Sequence, residues 1–211
     1  MAPRRYSSTV RAAAAAEKRA RVLDAAAALL REDAGISGFS LEAVAGAAGV
    51  TRLTVYNQFG SRRGLLEAVF DEVAIGGGLT RIPDAMALAD ARVALDRLVD
   101  IFCDFWNGDP AIGNLHGAMA IDPEFAQALT ERNERRRKIF NAIVRRVAGK
   151  SVPLRARQDA ADLIFTLTSC ATFTMLRQGR SAERTRALVK AACNSALDTL
   201  QPSSPVSGNN R

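Results

Sequence analysis

Residues 40–59 read SLEAVAGAAGVTRLTVYNQF, and this stretch predicts two short helices joined by a tight turn. Ser40 and Thr51 each precede an amphipathic run, and both residue types cap helix N-termini well. Gly49 lies between the runs, where the absence of a side chain permits the positive φ that a tight turn needs. The small residues before Gly49 let the two helices approach closely. The stretch predicts a helix-turn-helix, and a plain pair of packed helices is the alternative.

The second of these helices leaves a polar side for a partner. Val55 and Phe59, four residues apart, point inward on a helix. The residues left on the outer side are Arg52, Leu53, Thr54, Asn57 and Gln58. Arginine can pair with guanine, and asparagine or glutamine with adenine, while a leucine or the threonine methyl can contact the methyl group of thymine. This side therefore has the chemistry of DNA base recognition.

Helical periodicity continues along almost the whole chain, so the predicted fold class is all-α. The first helix begins near Thr9 and ends before Gly35, and the fourth ends at the glycines 76–78. Longer helices are predicted over about 83–106, 123–148, 154–178 and 182–200, with a further start at Asp109-Pro110. The predicted domains are 1–78 and 79–200. Residues 201–211 are rich in Ser, Pro, Gly and Asn and predict a disordered tail.

Composition narrows the class of protein further. The 211 residues carry a formal net charge of +7, which favours a polyanionic partner. Three scattered cysteines exclude a disulfide framework and fit a reducing cytosol. The alanine run at 12–16 is too short for a secretory signal, and the uncharged stretch 163–176 is too short to span a bilayer. Cytoplasm and no membrane contact are therefore expected.

Residues 49–66, GVTRLTVYNQFGSRRGLL, resemble the signature of TetR-family transcriptional regulators. Further matches are RVLDAA at 21–26 and Val44-Ala45, so the resemblance covers about residues 20–73. It implies that 1–78 is a three-helix DNA-binding domain with a basic N-terminal arm. It also implies that 79–200 is a helical domain for effector binding and dimerisation.

The resemblance implies particular DNA contacts. Tyr56 stands where the family has a phosphate-contacting tyrosine, and Arg62 replaces the usual lysine at the start of the fourth helix. Ser40 caps the second helix and can contact phosphate through its hydroxyl or backbone N–H. The complete predicted DNA-binding set is Ser40, Thr51, Arg52, Leu53, Thr54, Tyr56, Asn57, Gln58 and Arg62. For the basic arm, a DNA contact and a solvated tail are equally open.

Aromatic residues of the second domain form either plain core or, by analogy with the family, a mainly apolar effector cavity. The predicted pocket residues are Phe102, Cys103, Trp106, Asn114, His116, Met119, Phe140, Phe165, Thr168 and Thr172. No catalytic residue, metal ligand or cofactor is predicted. Asp96, Asp100 and Asp104 recur every four residues and predict a solvent-facing side of a helix, as does the basic run 135–138.

Together these features predict a sequence-specific DNA-binding transcriptional regulator, most often a repressor in this family. The resemblance implies a homodimer that binds a palindromic operator, joins through helices 154–178 and 182–200, and is released by a small, largely apolar effector. Two alternatives stay open: an effector-independent DNA-binding protein, and a helical enzyme or small-molecule carrier that keeps the motif only for packing. The enzyme has little support because no paired catalytic groups are visible.

Overall fold

The computed structural model describes residues 4–32, 35–119, 122–149 and 151–200, which form eleven α-helices and two 3₁₀ turns and contain no β-strand. The helices are α1 (Arg4–Arg31), α2 (Leu41–Ala48), α3 (Arg52–Phe59), α4 (Arg62–Gly76), α5 (Ile82–Ala87), α6 (Ala91–Gly108), α7 (Ala111–Ala118), α8 (Pro123–Val147), α9 (Leu154–Leu167), α10 (Cys170–Arg177) and α11 (Ala182–Asp198). The 3₁₀ turns are Gly35–Ser37 and Leu79–Arg81. The all-α prediction is confirmed, and the predicted tail at 201–211 lies outside the described residues. No described helix is long and apolar enough to cross a membrane.

The chain divides into two compact units. The first is built from the residues up to Gly77 together with Gly108–Thr130, and the second from Gly78–Asn107 together with the chain from Glu131 onward. The chain first passes from one unit to the other after Gly77. The sequence assigns 108–130 to the second domain, whereas the structure places this segment in the first unit. Helix α8 contributes residues to both.

The first unit packs α7 against the helices that carry the helix-turn-helix. Helix α1 contacts α2 and α4, and α7 contacts α1, α4 and the first 3₁₀ turn. Asn114 Nδ2 donates to the Leu30 carbonyl at 2.7 Å, and Arg31 forms an ion pair with Asp109 at 2.6 Å. These polar contacts explain why 108–130 joins this unit. The largest apolar residues fully buried in it include Leu30, Leu65, Leu66, Ile112, Leu115 and Phe125.

Two predicted long helices of the second unit are each broken in two. The segment predicted as one helix from about 83 to 106 forms α5 and α6, because Asp90 Oδ1 accepts the N–H groups of Arg92 and Val93 and so starts a new helix. The segment 154–178 forms α9 and α10, because the Ser169 hydroxyl accepts the N–H of Thr172 and caps α10. Both breaks arise from side chains that compete for backbone N–H groups.

The prediction that Asp96, Asp100 and Asp104 face solvent is wrong. Each carboxylate of this α6 row is paired with a side chain of α11. Asn194 Nδ2 donates to Asp96 at 2.8 Å, Lys190 Nζ lies 2.7 Å from Asp100, and Arg186 contacts Asp104. Two free cysteines, Cys103 and Cys193, are buried in the same unit. The acidic row therefore holds α11 against α6, and the described residues contain no cluster suited to a metal ion.

Candidate nucleic-acid interface

Side-chain hydroxyls cap the N-termini of α2, α3 and α4, so a capped turn lies on each side of α3. The Ser40 hydroxyl accepts the Ala43 N–H at 3.0 Å, and the Thr51 hydroxyl accepts the Thr54 N–H at 3.2 Å. Gly49 joins α2 to α3 with a φ of 65°, so its predicted left-handed conformation is confirmed. Beyond α3, the Ser61 hydroxyl accepts the Gly64 N–H at 3.0 Å and caps α4. The predicted helix-turn-helix is therefore present, with the predicted caps.

Glycine at position 64 lets the backbones of α3 and α4 approach closely. A Cβ placed on Gly64 would lie 2.1 Å from the carbonyl oxygen of Phe59, the last residue of α3. No real Cβ tolerates that distance, and the blocking atom belongs to the backbone, so it cannot rotate away. The position of α3 relative to α4 therefore depends on the absence of a side chain at residue 64.

The outer side of α3 is largely exposed. Val55 is completely buried and anchors the helix, whereas Leu53 is 65% exposed. Arg52, Tyr56 and Asn57 are also exposed. Thr54 and Gln58 are half-buried, and the Thr54 hydroxyl shares a hydrogen bond with that of Thr51 at 2.9 Å, which leaves its methyl group uncommitted. An exposed leucine among uncommitted polar groups is suited to base edges and thymine methyls.

Arg19 of α1 holds the C-terminal end of α3, a role that the sequence reasoning missed. Its Nη1 donates to the Gln58 carbonyl at 3.3 Å, and its guanidinium lies 4.4 Å from the ring centroid of Phe59. The sequence placed Arg19 in a basic arm, with DNA contact and solvation both open. The spacing of 39 residues to Gln58 gives no local signal for this contact. Arg19 therefore holds α3 from α1, within the first unit.

Arg62 is turned into the first unit. Its Nε donates to the Phe39 carbonyl at 3.3 Å, and its Nη1 lies 3.3 Å from Asp122, the residue before α8. Its side chain is 27% exposed. A phosphate contact from Arg62 would therefore compete with the ion pair to Asp122.

The predicted pocket residues fall into two groups. Asn114, His116 and Met119 belong to the first unit, where Asn114 is bonded to α1. The others belong to the second unit, where Phe102 stacks on Trp106 with ring centroids 6.4 Å apart and lies 5.7 Å from Phe140. Cys103 is buried, and desolvation raises the pKa of its thiol to about 11.

The aromatic residues of the second unit surround a buried arginine. Arg136 is only 6% exposed, so the prediction that the whole run 135–138 is a solvated face is wrong at this position. Its guanidinium carbon lies 4.3 Å from the ring centroid of Phe165, 5.7 Å from that of Phe102 and 5.9 Å from that of Trp106. The Thr168 carbonyl, at the break between α9 and α10, accepts hydrogen bonds from both Arg136 and Trp106. We call Arg136, Phe102, Trp106 and Phe165 the arginine cage.

Two family models, both of tetR-type regulators, match the two ends of the chain. A family model described as bacterial regulatory proteins of the tetR family matches residues 22–69, and one described as a tetracyclin repressor-like C-terminal domain matches 89–201. No curated protein matches the chain.

Solved structures share the fold at low sequence identity. The structure of PfmR, a TetR-family transcriptional regulator from Thermus thermophilus, superposes with a TM-score of 0.60 at 19% identity, over 86% of this chain and 100% of that one. A protein from Mesorhizobium loti assigned to the same family gives 0.62 at 16% identity, over 88% and 97%. One from Pectobacterium atrosepticum gives 0.57 at 20% identity, over 89% and 96%.

Proposed function

The chain belongs to the TetR family of DNA-binding transcriptional regulators, and from that premise we propose that it is a ligand-released repressor that binds a palindromic operator as a homodimer. The observation that carries the DNA-binding part is the outer side of α3. Arg52, Leu53 and Asn57 are exposed there, on a helix whose N-terminus is capped by the Thr51 hydroxyl and whose C-terminal end is held by Arg19. Side chains that read bases need such a rigid support, because small displacements weaken paired hydrogen bonds.

Each exposed group of α3 has a proposed role. Arg52 pairs with a guanine, and Asn57 with an adenine. Leu53 and the methyl group of Thr54 contact thymine methyls, while Tyr56 donates to a phosphate. The phosphate contact sets the orientation of the protein on the duplex, and the base contacts determine which DNA sequence it prefers.

The proposed dimer uses α9, α10 and α11. Large apolar side chains are exposed on these helices: Leu163 is 53% exposed, Met175 62% and Leu188 43%. Helices α9, α10 and α11 contact one another, and exposed apolar side chains on such helices are typical of an association surface. Two copies of α3 would then read two half-sites about one helical turn, or roughly 34–36 Å, apart.

The proposed release works by linkage between ligand binding and the spacing of the two DNA-binding units. Helix α4 runs from its cap beside α3 to Gly76, and the glycines that follow lead into the second unit. Helix α8 begins directly after Asp122, the ion-pair partner of Arg62, and carries Arg136 of the arginine cage. A ligand that favours one arrangement of the second unit therefore changes operator affinity through these two helices.

Footprinting on the DNA that flanks its own gene tests the proposal, followed by titration of the protected site with Arg52→Ala. We expect a loss of about 1–3 kcal/mol in binding free energy and a relaxed preference at one base pair of each half-site. Arg145→Ala is the matched control, because Arg145 is an exposed cation of the second unit and its removal changes the net charge equally. Equal effects of the two substitutions, or the absence of a protected site, would contradict the proposed base reading.

Sedimentation velocity tests the dimer separately. Leu163→Glu places a charge on the proposed association surface and should convert the dimer into monomers that bind the operator more weakly. Leu53→Glu adds the same charge to the outer side of α3 and should leave the dimer intact. A wild-type protein that sediments as a monomer at micromolar concentration would contradict the proposed assembly.

A further inference from the structure

Helix α8 buries a cation that has no carboxylate partner among the described residues. Arg136 is 6% exposed, its Nη1 donates to the Thr168 carbonyl at 2.6 Å, and its Nε has no hydrogen-bond acceptor. Moving an unpaired guanidinium out of water is unfavourable, and an apolar side chain would fill the same space without that cost. A buried arginine without a carboxylate partner therefore indicates an anionic ligand that is not part of the chain.

The arginine cage leaves one edge of the cation unused. Aromatic rings attract a guanidinium through its flat faces, whereas its N–H donors point outward in its plane. Phe165 lies 4.3 Å from the guanidinium carbon, and Phe102 and Trp106 lie within 6 Å. The edge that contains Nε is therefore free of an acceptor. A carboxylate fits such an edge because its two oxygens accept two parallel N–H bonds.

The charges around Arg136 do not neutralise it. The titratable groups that act on it are Cys170 and Arg137. Burial raises the pKa of the Cys170 thiol, which therefore stays protonated at neutral pH, and Arg137 is itself a cation paired with Glu134 and Asp162. Burial lowers the pKa of Arg136 to about 10, so its guanidinium is still charged at pH 7. The cage thus holds one uncompensated positive charge.

We propose that Arg136 binds the carboxylate of a small acidic ligand whose apolar body packs against Phe102, Trp106 and Phe165. One edge without an acceptor pairs with one carboxylate, so the ligand class is monocarboxylates with an aromatic or aliphatic body. The assignment deepens the proposed function, on which it rests for the role of this ligand as the releasing effector.

Trp106 allows direct measurement, since it is the single tryptophan of the sequence and lies in the cage. The probes are octanoate and phenylacetate, each compared with its primary amide, which has the same shape but no charge. We expect the carboxylates to change Trp106 emission in the full-length protein, and the amides to bind at least about tenfold more weakly. Arg136→Met should lose about 10- to 100-fold in carboxylate affinity and little in amide affinity.

Arg137→Met is the matched control. Arg137 directly follows Arg136 on α8, and its guanidinium carbon lies 4.2 Å from the Phe165 ring centroid. Unlike Arg136, it is partly exposed and already has carboxylate partners. This variant should keep carboxylate affinity within about twofold of wild type. Arg136→Lys keeps the charge without the planar edge and should lose about tenfold, which covers the case in which Arg136→Met does not fold.

Two results would overturn the assignment. The first is a panel in which neither carboxylate changes Trp106 emission, or in which each amide binds as well as its acid. The second is unchanged carboxylate binding in the Arg136 variants together with a lower melting temperature, which would make Arg136 a packing cation only. Operator release is measured separately: binding through Arg136 without release supports the assignment and contradicts only the ligand-released part of the proposed function.

Discussion

Helix α3 and the arginine cage both present polar groups without a partner, but they do so in opposite surroundings. Arg52 is exposed to solvent, and water satisfies it until DNA replaces the water. Arg136 is buried among aromatic rings, where water cannot compensate its Nε. A mobile, hydrated side chain suits a polymer that approaches from outside, and a buried charge suits a ligand that is enclosed. We therefore expect substitutions on the outer side of α3 to leave stability almost unchanged, and substitutions in the arginine cage to lower it.

The largest expected effect tests that separation. Phe102 is 4% exposed and contacts Trp106, Phe140 and Arg136, so Phe102→Ala should lower the free energy of unfolding by about 3–5 kcal/mol. Leu53→Ala, at an exposed apolar residue of α3, should change it by less than about 0.5 kcal/mol and weaken operator binding instead. Urea denaturation followed by circular dichroism measures both. Similar stability losses in the two variants would remove the distinction between the regions.

A smaller effect concerns how α3 is held. Gly64→Ala brings a Cβ against the Phe59 carbonyl and should cost about 1–3 kcal/mol of stability, with a loss of operator affinity because α3 must shift. Gly46→Ala is the control: the same change within helix α2 meets no atom within 4 Å and should stabilise the protein by up to about 1 kcal/mol. Thermal unfolding and DNA titration of both variants decide whether the close approach between α3 and α4 fixes the position of α3. Full operator affinity in Gly64→Ala would contradict it.

The smallest expected effect concerns Arg31, an arginine that, unlike Arg136, is paired with a carboxylate of the described chain. The hydrogen bond from Arg31 holds the pKa of Asp109 below its usual value. A carboxyl whose folded pKa is depressed stabilises the protein at neutral pH, and this contribution is lost as the pH falls through that pKa. Asp109→Asn should therefore cost at most about 1 kcal/mol at pH 7, since the pair is partly exposed, and progressively less as the pH falls through the pKa of Asp109.

Chemical denaturation of wild type and Asp109→Asn between pH 7 and pH 2 follows this difference. Asp84→Asn removes an exposed carboxylate of the second unit and serves as the control. A stability gap between wild type and Asp109→Asn that stays constant with pH would rule out the ion pair as its cause.

The contrast between α3 and the cage also marks what the sequence could predict. Ser40, Gly49 and Thr51 act on residues within four positions of themselves, so their roles as caps and turn residue follow from local spacing, and the structure confirms these roles. The break at Ser169 was also a local event, but Thr168 and Ser169 lie within an uncharged stretch that reads equally well as one helix. Hydrophobic periodicity alone does not reveal such a cap.

Contacts between distant residues account for the other differences. Arg136 bonds to a carbonyl 32 residues away, and Asp100 pairs with Lys190, which lies 90 residues further along the chain. A charged residue in a polar run predicts exposure unless its distant partners are known. The placement of 108–130 with the first unit likewise depends on Asn114 reaching Leu30, 84 residues earlier.

The buried thiols of the second unit allow the opening of this unit to be measured. All three cysteines of the sequence belong to this unit, and desolvation raises the pKa of Cys103 to about 11 and that of Cys193 to about 12. Alkylating reagents attack the thiolate, so these two sulfurs react in the native protein only when the unit opens. The rate at which iodoacetamide modifies Cys103 and Cys193 therefore reports the opening rate of the second unit. The first unit, which contains the helix-turn-helix, has no thiol and does not contribute to this signal.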